Sequence, residues 1–232
     1  MDEWTVKPFD RFVVLTAEDQ GYWGALPNIR VIPNPLPFTS EETSSCKATK
    51  VVAVGRYDFQ KNFSKLLQLW ARIAPQFPEW TLEIYGNGAL RGELEQEVKE
   101  LGISGSVTLA QPTHQMKEVY LSASIYAMTS RYEGLPMVLI EAQQMGLPIV
   151  SFACPCGPRD VIHDGEDGFL IPMGEDDIFL KALTTLMASE EKRICMGQRA
   201  REASARYEVD AVMNKWLTLF SELVPTKPTT GL

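Results

Sequence analysis

The sequence is poor in cysteine and histidine, with four Cys and two His among 232 residues. So few cysteines, at Cys46, Cys154, Cys156 and Cys195, cannot form the disulfide framework of a small secreted domain. Cys154 and Cys156 lie near His163, but no fourth ligand is evident and the spacing fits no zinc motif. Neither histidine has an obvious Ser and Asp arrangement for a hydrolytic triad. The sequence predicts no metal site.

Long apolar runs and an excess of basic residues are also missing. No apolar stretch approaches the roughly 18 residues that span a membrane, and residues 1–4 do not start a cationic and then apolar leader. With 22 Lys and Arg against 30 Asp and Glu, the formal charge is −8. An acidic surface disfavours binding to nucleic acid and to anionic membranes. We expect a cytoplasmic protein that neither binds nucleic acid nor inserts directly into a membrane.

Two common nucleotide-binding motifs are absent. The chain has no Gly-x4-Gly-Lys-Ser/Thr phosphate loop, and Gly86-Asn87-Gly88 is followed by Arg91 where the dinucleotide fingerprint has its third glycine. A turn with close backbone approach is enough to explain these glycines, although contact with a ligand is the alternative. The missing fingerprint counts against a dehydrogenase.

Short β-rich runs and helical stripes alternate from Lys50 onward. The stripes include Phe63, Leu66, Leu67 and Trp70 on one helix and Leu90, Leu94, Val98 and Leu101 on the next. The β-rich runs are Val51–Val54, Thr81–Tyr85, Val107–Leu109, Ile125–Thr129, Ile149–Phe152 and Phe169–Ile171. This alternation predicts an α/β fold with a Rossmann-like parallel sheet and helices on both faces. After Gly174 the pattern is helical to about Leu223.

The chain divides into four predicted parts. Residues 1–38 contain two apolar runs, Phe12–Leu15 and Ile29–Ile32, around a short helix at Ala17–Tyr22. These elements cannot bury a core alone, so they are interpreted as a strip of another domain. The remaining parts are a linker or exposed loop at 39–49, the main domain at 50–224, and a disordered tail at 225–232.

Ligands bind beyond the carboxyl ends of the strands in an open parallel sheet. The first such loop, after Val54, contains Gly55, Arg56 and Lys61. The two cations can converge on an anion near the following helix N-terminus. Solvated surface charge is the alternative, and this segment alone does not decide between them.

The most informative segment is 130–142, after the fourth β-rich run. Pro136 suits the first turn of a helix, and Glu133 precedes that helix at the carboxyl edge of the sheet. Glu141 falls on the same, otherwise apolar helix, where a carboxylate is costly unless it is paired. It either accepts from two vicinal hydroxyls, as on a ribose, or forms a structural ion pair with Arg or Lys. The backbone amides available to a phosphate or sugar are those of Gly134, Leu135, Met137 and Val138.

Two further loops have weaker signals. Gly157 opens a short helix after the fifth β-rich run, and its position favours an anion or sugar contact. His114 follows the third run, where helix capping is its expected role, and His163 is expected at the surface.

Together these segments resemble the C-terminal half of a family-4 retaining glycosyltransferase of the GT-B type, over about 29–223. The most specific element is Glu133-x7-Glu141 within Glu-Gly-Leu-Pro, followed by Glu-Ala-x3-Gly-x-Pro ending at Pro148. The supporting elements, in family order, are Val31-Ile32-Pro33-Asn34, Gly55-Arg56 with Lys61-Asn62, Gly86-Asn87-Gly88, and Asp164-Gly165-x2-Gly168-Phe169-Leu170.

The resemblance implies a nucleotide diphosphate sugar of UDP or GDP type as the donor, with no metal or other cofactor. It implies that Arg56 and Lys61 neutralise the diphosphate, that Glu141 holds the ribose hydroxyls, and that Glu133 contacts the donor sugar. Catalysis would then rest on Glu133, Arg56 and Lys61. The other implied donor contacts are Gly55, Gly86, Pro112, His114, Gly134, Leu135, Pro136, Met137 and Val138.

The resemblance covers almost nothing of the N-terminal half of such an enzyme, which binds the acceptor. Residues 1–38 resemble only its end and the interdomain hinge, and the helix at Val212–Leu223 is expected to pack on them. The resemblance implies hexose transfer to a glycan or lipid-linked acceptor, as in polysaccharide or lipopolysaccharide synthesis. The full-length protein would be cytoplasmic, with peripheral contact to the inner membrane as an option. We expect this chain alone to transfer sugar poorly, and a noncatalytic subunit that needs a partner chain is the alternative.

Overall fold

The structure, a computed structural model, describes residues 9–223. The tail predicted at 225–232 lies outside the described residues. The described chain contains two parallel sheets, one of two strands and one of six. Within it, no helix has both the length and the apolar character needed to cross a membrane.

The smaller sheet is a strand–helix–strand unit near the start of the chain. β1 (Phe12–Val14) and β2 (Ile29–Val31) are parallel, and α1 (Ala17–Tyr22) connects them. Thr16 caps α1, because its hydroxyl accepts a hydrogen bond of 3.0 Å from the Asp19 amide. The predicted helix is confirmed, and each predicted strand is confirmed but one residue shorter.

The larger sheet has six parallel strands in the order β5-β4-β3-β6-β7-β8. They are β3 (Lys50–Val54), β4 (Thr81–Tyr85), β5 (Val107–Ala110), β6 (Ile125–Met128), β7 (Ile149–Phe152) and β8 (Gly168–Ile171). The chain moves outward from β3 to β5, returns to the centre at β6, and then moves the other way. The predicted β-rich runs are confirmed to within one residue at each end.

Helices cover both faces of this sheet. They are α2 (Phe63–Ile73), α3 (Arg91–Glu100), α4 (Met116–Leu121), α5 (Met137–Gln144), α6 (Pro158–Val161), α7 (Asp176–Ala188), α8 (Glu190–Ser204) and α9 (Val209–Leu223). On one face α2, α3 and α7 form a core with Val51 and Ala53 of β3. On the other face α4 and α5 pack with Val52 and Tyr126. The predicted Rossmann-like sheet with helices on both faces is therefore confirmed.

The segment 39–49 has no helix or strand, as expected for a loop, but it is not exposed along its length. Ser40 and Cys46 are buried. The guanidinium of Arg193, itself buried, donates a 2.8 Å hydrogen bond to the Cys46 carbonyl, and Arg201 donates to the Ser40 carbonyl at 2.5 Å. The polar composition of the segment did not predict these contacts, because the arginines of α8 bind its backbone carbonyls and not its side chains.

The last helix, α9, returns to the smaller sheet. Val212 and Leu219 are buried in a cluster with Ile32 of the hinge, and Val13 and Trp216 pack against it. The predicted packing of this helix on the first part of the chain is confirmed. The adjoining outer side of α9 exposes large apolar side chains, namely Met213, Leu217 and Phe220.

Candidate functional site

The centre of the larger sheet is a topological switch point. β3 and β6 are neighbours, and the connections that leave them run toward opposite edges of the sheet. In open α/β sheets this arrangement opens a crevice beyond the carboxyl ends of the two strands, where ligands bind. The loops that border the crevice are 55–62, after β3, and 129–136, after β6. Both contain residues that the sequence analysis selected.

The two loops are hydrogen-bonded to each other. The Arg131 amide donates to the Gln60 carbonyl at 2.8 Å, and the Gln60 side-chain amide donates to the Tyr132 carbonyl at 3.0 Å. The Arg131 guanidinium donates to the Asn62 side-chain oxygen at 2.8 Å, while the Asn62 amide group donates to the Thr129 carbonyl at 3.2 Å. These contacts hold the sides of the crevice in register. Sequence reasoning missed Gln60 and Arg131, because their partners are about 70 residues away in the chain.

Lys61 and Glu133 form an ion pair across the crevice. The Lys61 Nζ lies 2.7 Å from Glu133 Oε1, and the two side chains are 15% and 7% exposed. Gly55 makes room for this geometry, because a Cβ at that position would lie 3.0 Å from the methylene groups of Lys61. The structure thus brings together two of the three residues assigned to catalysis by resemblance. Lys61 contacts the Glu133 carboxylate, whereas Arg56, expected to share an anion with Lys61, does not take part in this pair.

Arg56 is the third assigned residue, and it stands at the rim of the crevice. Its side chain is 75% exposed and its Nε lies 3.3 Å from a carboxylate oxygen of Asp58. A second, longer contact of 3.4 Å reaches Gln60. Exposed ion pairs of this kind contribute little to stability, so the guanidinium is available to an anion.

A groove of about 370 Å³ adjoins the ion pair at the carboxyl ends of β3, β4 and β5. It is lined by Val54, Gly55, Arg56, Tyr85, Gly86, Asn87, Pro112, Thr113 and Met116. Four of the predicted donor contacts therefore meet there, and the lining is largely apolar. An apolar slot with a cation at its rim suits a planar ring that carries a negatively charged group.

His114 was expected to cap the helix after β5, and this expectation is wrong. The histidine is exposed, the N-cap residue of α4 is Gln115, and the Gln115 amide donates to the Thr113 hydroxyl at 3.0 Å. The shorter side chain at Thr113 therefore provides the local acceptor. The structure places His114 beside the groove in sequence but not in its lining.

The start of α5 lies next to the ion pair. Pro136 is the N-cap residue, one position before the helix, rather than in the first turn as expected. No side chain within the described residues caps this helix, so the amides of its first turn, including those of Met137 and Val138, have no side-chain acceptor there. Helix N-termini with free amides favour anions. Gly134 is exposed just before the helix, and Leu135 is buried.

Glu141, in the second turn of α5, is bound to a tyrosine. Its carboxylate accepts a 2.8 Å hydrogen bond from the Tyr120 hydroxyl. Burial raises the pKa of Glu141, and the Tyr120 hydrogen bond lowers it again in part. In the part of the chain described, its partner is thus a neutral hydroxyl and not the Arg or Lys of the structural alternative. A carboxylate kept half-buried without a cation retains acceptor capacity for hydroxyl groups.

The loop after β7 supports Glu133 from behind. The Glu133 amide donates to the Pro155 carbonyl at 2.7 Å, and the Cys156 amide donates to the Glu133 carbonyl at 2.9 Å. The Gly157 amide, predicted to contact an anion or a sugar, instead donates to the Glu18 carboxylate at 3.1 Å. His163 is exposed, as expected. Within residues 9–223, no cluster of three or more His, Cys, Asp or Glu side chains is arranged to hold a metal ion.

A larger groove of about 540 Å³ lies away from the crevice, between residues 43–47 and α8. Of its two cations, Lys47 and Arg201, the arginine already donates to backbone carbonyls of Gln144 and Ser40. The groups that suit a charged ligand therefore lie at the switch point and not in this larger groove.

A comparison with protein families identifies the family to which the chain with this crevice belongs. The family model described as "Glycosyl transferases group 1" matches residues 39–203, which is more than half of the chain. The chain belongs to this family. The match includes both crevice loops, the groove and α5, and the resemblance to GT-B glycosyltransferases is thereby confirmed.

Curated glycosyltransferases match most of this chain. It is 37% identical over 217 residues to the amylovoran biosynthesis glycosyltransferase AmsD of Erwinia amylovora, covering 89% of this chain and 61% of that protein. It is 30% identical over 222 residues to an α-1,4-N-acetyl-D-galactosaminyltransferase of Campylobacter jejuni, whose name specifies a PP-undecaprenol-linked glycan. That match covers 93% of this chain and 61% of the relative. The chain thus spans less than two thirds of the length of either relative.

Solved glycosyltransferase structures have the same fold. The crystal structure of an S. aureus TarM variant with fondaparinux, α-GlcNAc-glycerol and UDP superposes with a TM-score of 0.84 at 22% identity. The superposition covers 94% of this chain and 45% of TarM. At this level of identity the likeness establishes the shared fold, in which this chain corresponds to about half of a GT-B enzyme.

Proposed function

We propose that this chain is the donor-binding part of a retaining glycosyltransferase that moves a hexose from a nucleotide diphosphate sugar to a glycan or lipid-linked acceptor. The observation that carries the proposal is the meeting of the Lys61–Glu133 pair, the exposed Arg56 and the apolar groove at one switch point. Membership of the group 1 glycosyl transferases supports it. Because its relatives act in polysaccharide synthesis or on a lipid-linked glycan by name, an acceptor of that kind is included in the proposal.

Each part of the donor has a proposed position. The base enters the apolar groove, with Gly86, Pro112 and the His114 loop beside it. The ribose hydroxyls bind the carboxylate of Glu141, which is half-buried and has no cationic partner in the described chain. The sugar hydroxyls bind Glu133. UDP and GDP are both compatible with this arrangement.

The diphosphate has the largest electrostatic requirement. It lies between Arg56, Lys61 and the free amides at the start of α5, including those of Leu135, Met137 and Val138. As the bond from the sugar to the phosphate breaks, negative charge grows on the leaving nucleotide, and preorganised cations and amides stabilise that charge without strong acid–base groups. This is the catalytic role proposed for Arg56 and Lys61, and no metal ion or cofactor is required.

The acceptor part of the enzyme is proposed to cover α9. Leu217 and Phe220 on its outer side are 61% and 51% exposed, which is unfavourable in water when such side chains form one continuous face. The longer relatives have enough additional chain to cover it. We expect this chain alone to bind donor and to transfer sugar poorly. In the alternative, the chain is a noncatalytic nucleotide-sugar-binding subunit, and a separate partner chain covers the same face.

Calorimetric titration of this chain with UDP, GDP and their hexose conjugates tests the proposal. Saturable binding of one nucleotide class is expected, weakened at least tenfold in Glu141→Ala and in the Arg56→Ala/Lys61→Ala variant. Arg72→Ala is the matched control, because Arg72 is a half-exposed arginine paired with Asp177 on the outer helices. Absence of binding to all four ligands contradicts the proposal. Full transfer activity by the isolated chain would contradict only the need for a further part.

A further inference from the structure

Two carboxylates join α1 to α6 and to the end of the loop that precedes it. The Glu18 carboxylate accepts from the Gly157 amide at 3.1 Å and from the Arg159 guanidinium at 2.9 Å. In return, the Asp160 carboxylate accepts from the amides of Ala17 and Glu18 at 2.6 and 3.2 Å. The Glu18 side chain is only 17% exposed. We refer to these four hydrogen bonds as the Glu18–Asp160 clasp.

The clasp holds the same loop that supports Glu133. Pro155 and Cys156 exchange backbone hydrogen bonds with Glu133 at 2.7 and 2.9 Å, and the residue after them is Gly157. Gly157 is packed so closely that a Cβ there would lie 2.2 Å from the carbonyl oxygen of Gly134. Movement of the Gly157 amide is therefore transmitted to residues 133 and 134 by hard contact and by paired hydrogen bonds.

The clasp belongs to a junction between the two sheets. The Asp160 carbonyl accepts from Arg206 and from the Tyr207 hydroxyl, both at 3.1 Å, just before α9 begins. The Leu36 amide in the hinge donates to the Tyr207 carbonyl at 2.7 Å. The hinge near Leu36 and the segment before α9 are thus hydrogen-bonded to each other, and the second of them is bonded to Asp160 of α6, next to the loop behind Glu133.

We propose that Glu18 is a positioning residue for Glu133: through Gly157 it fixes the loop 155–157, and so it sets the place of the carboxylate that contacts the donor sugar. This inference rests on the proposed function, since it assumes that Glu133 binds the sugar. Glu18 makes no contact with the donor itself. It links the orientation of the smaller sheet to the sugar subsite, and none of the four hydrogen bonds of the clasp involves a residue proposed to bind the base or the diphosphate.

The consequence is a loss confined to the sugar. Glu18→Ala is expected to weaken binding of UDP-glucose or GDP-mannose, whichever the chain binds, roughly tenfold, as when one charge-assisted hydrogen bond is lost. Binding of bare UDP or GDP is expected to stay within about twofold of the unaltered chain. Glu18→Gln keeps an oxygen for the Gly157 amide and is expected to restore most of the loss. In a Glu133→Ala background, Glu18→Ala is expected to cause no further loss.

Calorimetry with both ligands tests this, with Glu222→Ala as the control. Glu222 is a carboxylate of α9 that pairs with Arg11 and Arg30, at 3.3 Å each, and does not touch the loop 155–157. Equal weakening of nucleotide and nucleotide sugar in Glu18→Ala, or no weakening of either, overturns the positioning role while the proposed function stands. Absence of binding of either nucleotide to the unaltered chain overturns the proposed function and this inference with it.

A second measurement reports on the clasp without any ligand. Burial raises the pKa of the Cys156 thiol, and the carboxylates of Glu18, Asp19 and Asp160 raise it further. In a Cys195→Ser background, which removes the exposed thiol, Glu18→Ala is expected to shift the pH profile of Cys156 alkylation to lower pH. An unchanged profile contradicts the presence of the Glu18 carboxylate beside this loop.

Discussion

Among single residues, Glu141 shows most clearly a group that lowers stability but is proposed to bind the ligand, because its buried carboxylate is the proposed partner of the ribose hydroxyls. Burial raises the pKa of its carboxyl group above the usual value, although the Tyr120 hydrogen bond offsets part of the rise. Between the unfolded and the folded pKa, the folded chain binds more protons than the unfolded chain. The free energy of unfolding therefore falls as the pH rises through that interval.

Glu141→Gln is expected to raise the free energy of unfolding at pH 7, because the amide stays neutral and keeps an oxygen for Tyr120. The difference from the unaltered chain should shrink as the pH falls from the raised pKa of folded Glu141 to the usual carboxyl value, because Glu141 becomes protonated over that interval. Urea denaturation at pH 7 and pH 4 measures both. Tyr120→Phe, which removes the donor instead, is expected to lose about 1.5–3 kcal/mol at pH 7. A Glu141→Gln variant that is less stable than the unaltered chain at pH 7 would contradict the burial argument.

The Lys61–Glu133 pair allows a compensation experiment. Removing one partner of a poorly exposed ion pair leaves the other charge without its counterion, which costs more than removing both. We expect Lys61→Met to lower the free energy of unfolding by about 1–3 kcal/mol, and Lys61→Met/Glu133→Gln to recover at least half of that loss. Denaturant titration of the single and double variants gives the coupling. Additive losses would mean that the two side chains do not interact in solution.

Among the elements, the carboxyl ends of β3 and β4 depend on close backbone approach. A Cβ on Gly86 would lie 1.8 Å from the Gly55 carbonyl oxygen, and one on Gly88 would lie 2.4 Å from that of Tyr57. Tyr57 is buried, and its hydroxyl oxygen lies 2.7 and 2.9 Å from the carbonyl oxygens of Ile84 and Ala110, which share its one proton. Gly55 and Gly86 also line the groove, and the close backbone approach makes these glycines structural whether or not a ligand is bound.

Gly86→Ala is therefore expected to lower the free energy of unfolding by more than about 2 kcal/mol, because backbone atoms and not a flexible side chain must move. Gly92→Ala is the matched substitution. A Cβ on Gly92, in α3, would meet no atom within 4 Å beyond the backbone of its own helix, so the alanine should raise stability by about 0.5–1 kcal/mol. Thermal unfolding of the two variants should move in opposite directions. A neutral Gly86→Ala would show that β3 and β4 separate at this end.

For the molecule as a whole, α9 separates a packed side from an uncovered one within three residues. Leu219 is 4% exposed against the smaller sheet, and Leu217 is 61% exposed. Leu219→Ser is expected to lower the free energy of unfolding by about 2–4 kcal/mol, and Leu217→Ser by less than about 0.5 kcal/mol. Equal destabilisation by the two serines would mean that α9 is covered on both sides.

The sequence predicted the sheet well because strand and helix periodicities are local. Each β-rich run reappears within one residue, and the apolar stripe that starts at Phe63 became the buried side of α2. The contacts of individual loop residues were predicted less well than the strands and helices. His114 does not cap the helix that follows it, and Thr113 accepts from the Gln115 amide just before that helix. The loop 39–49 is held on α8 by Arg193 and Arg201 rather than exposed.

By itself, the sequence determined the fold class, the order of the elements, and which loops face the carboxyl edge, because hydrophobic spacing and glycine positions act over a few residues. Only the tertiary structure decided the partners across the crevice. It paired Lys61 with Glu133, joined Gln60 to residues 131–133, and placed Tyr120 rather than a cation on Glu141. It also brought Glu18 to the loop behind the site. These contacts join residues between 21 and 139 positions apart, a distance over which a pattern in one sequence holds no geometric information.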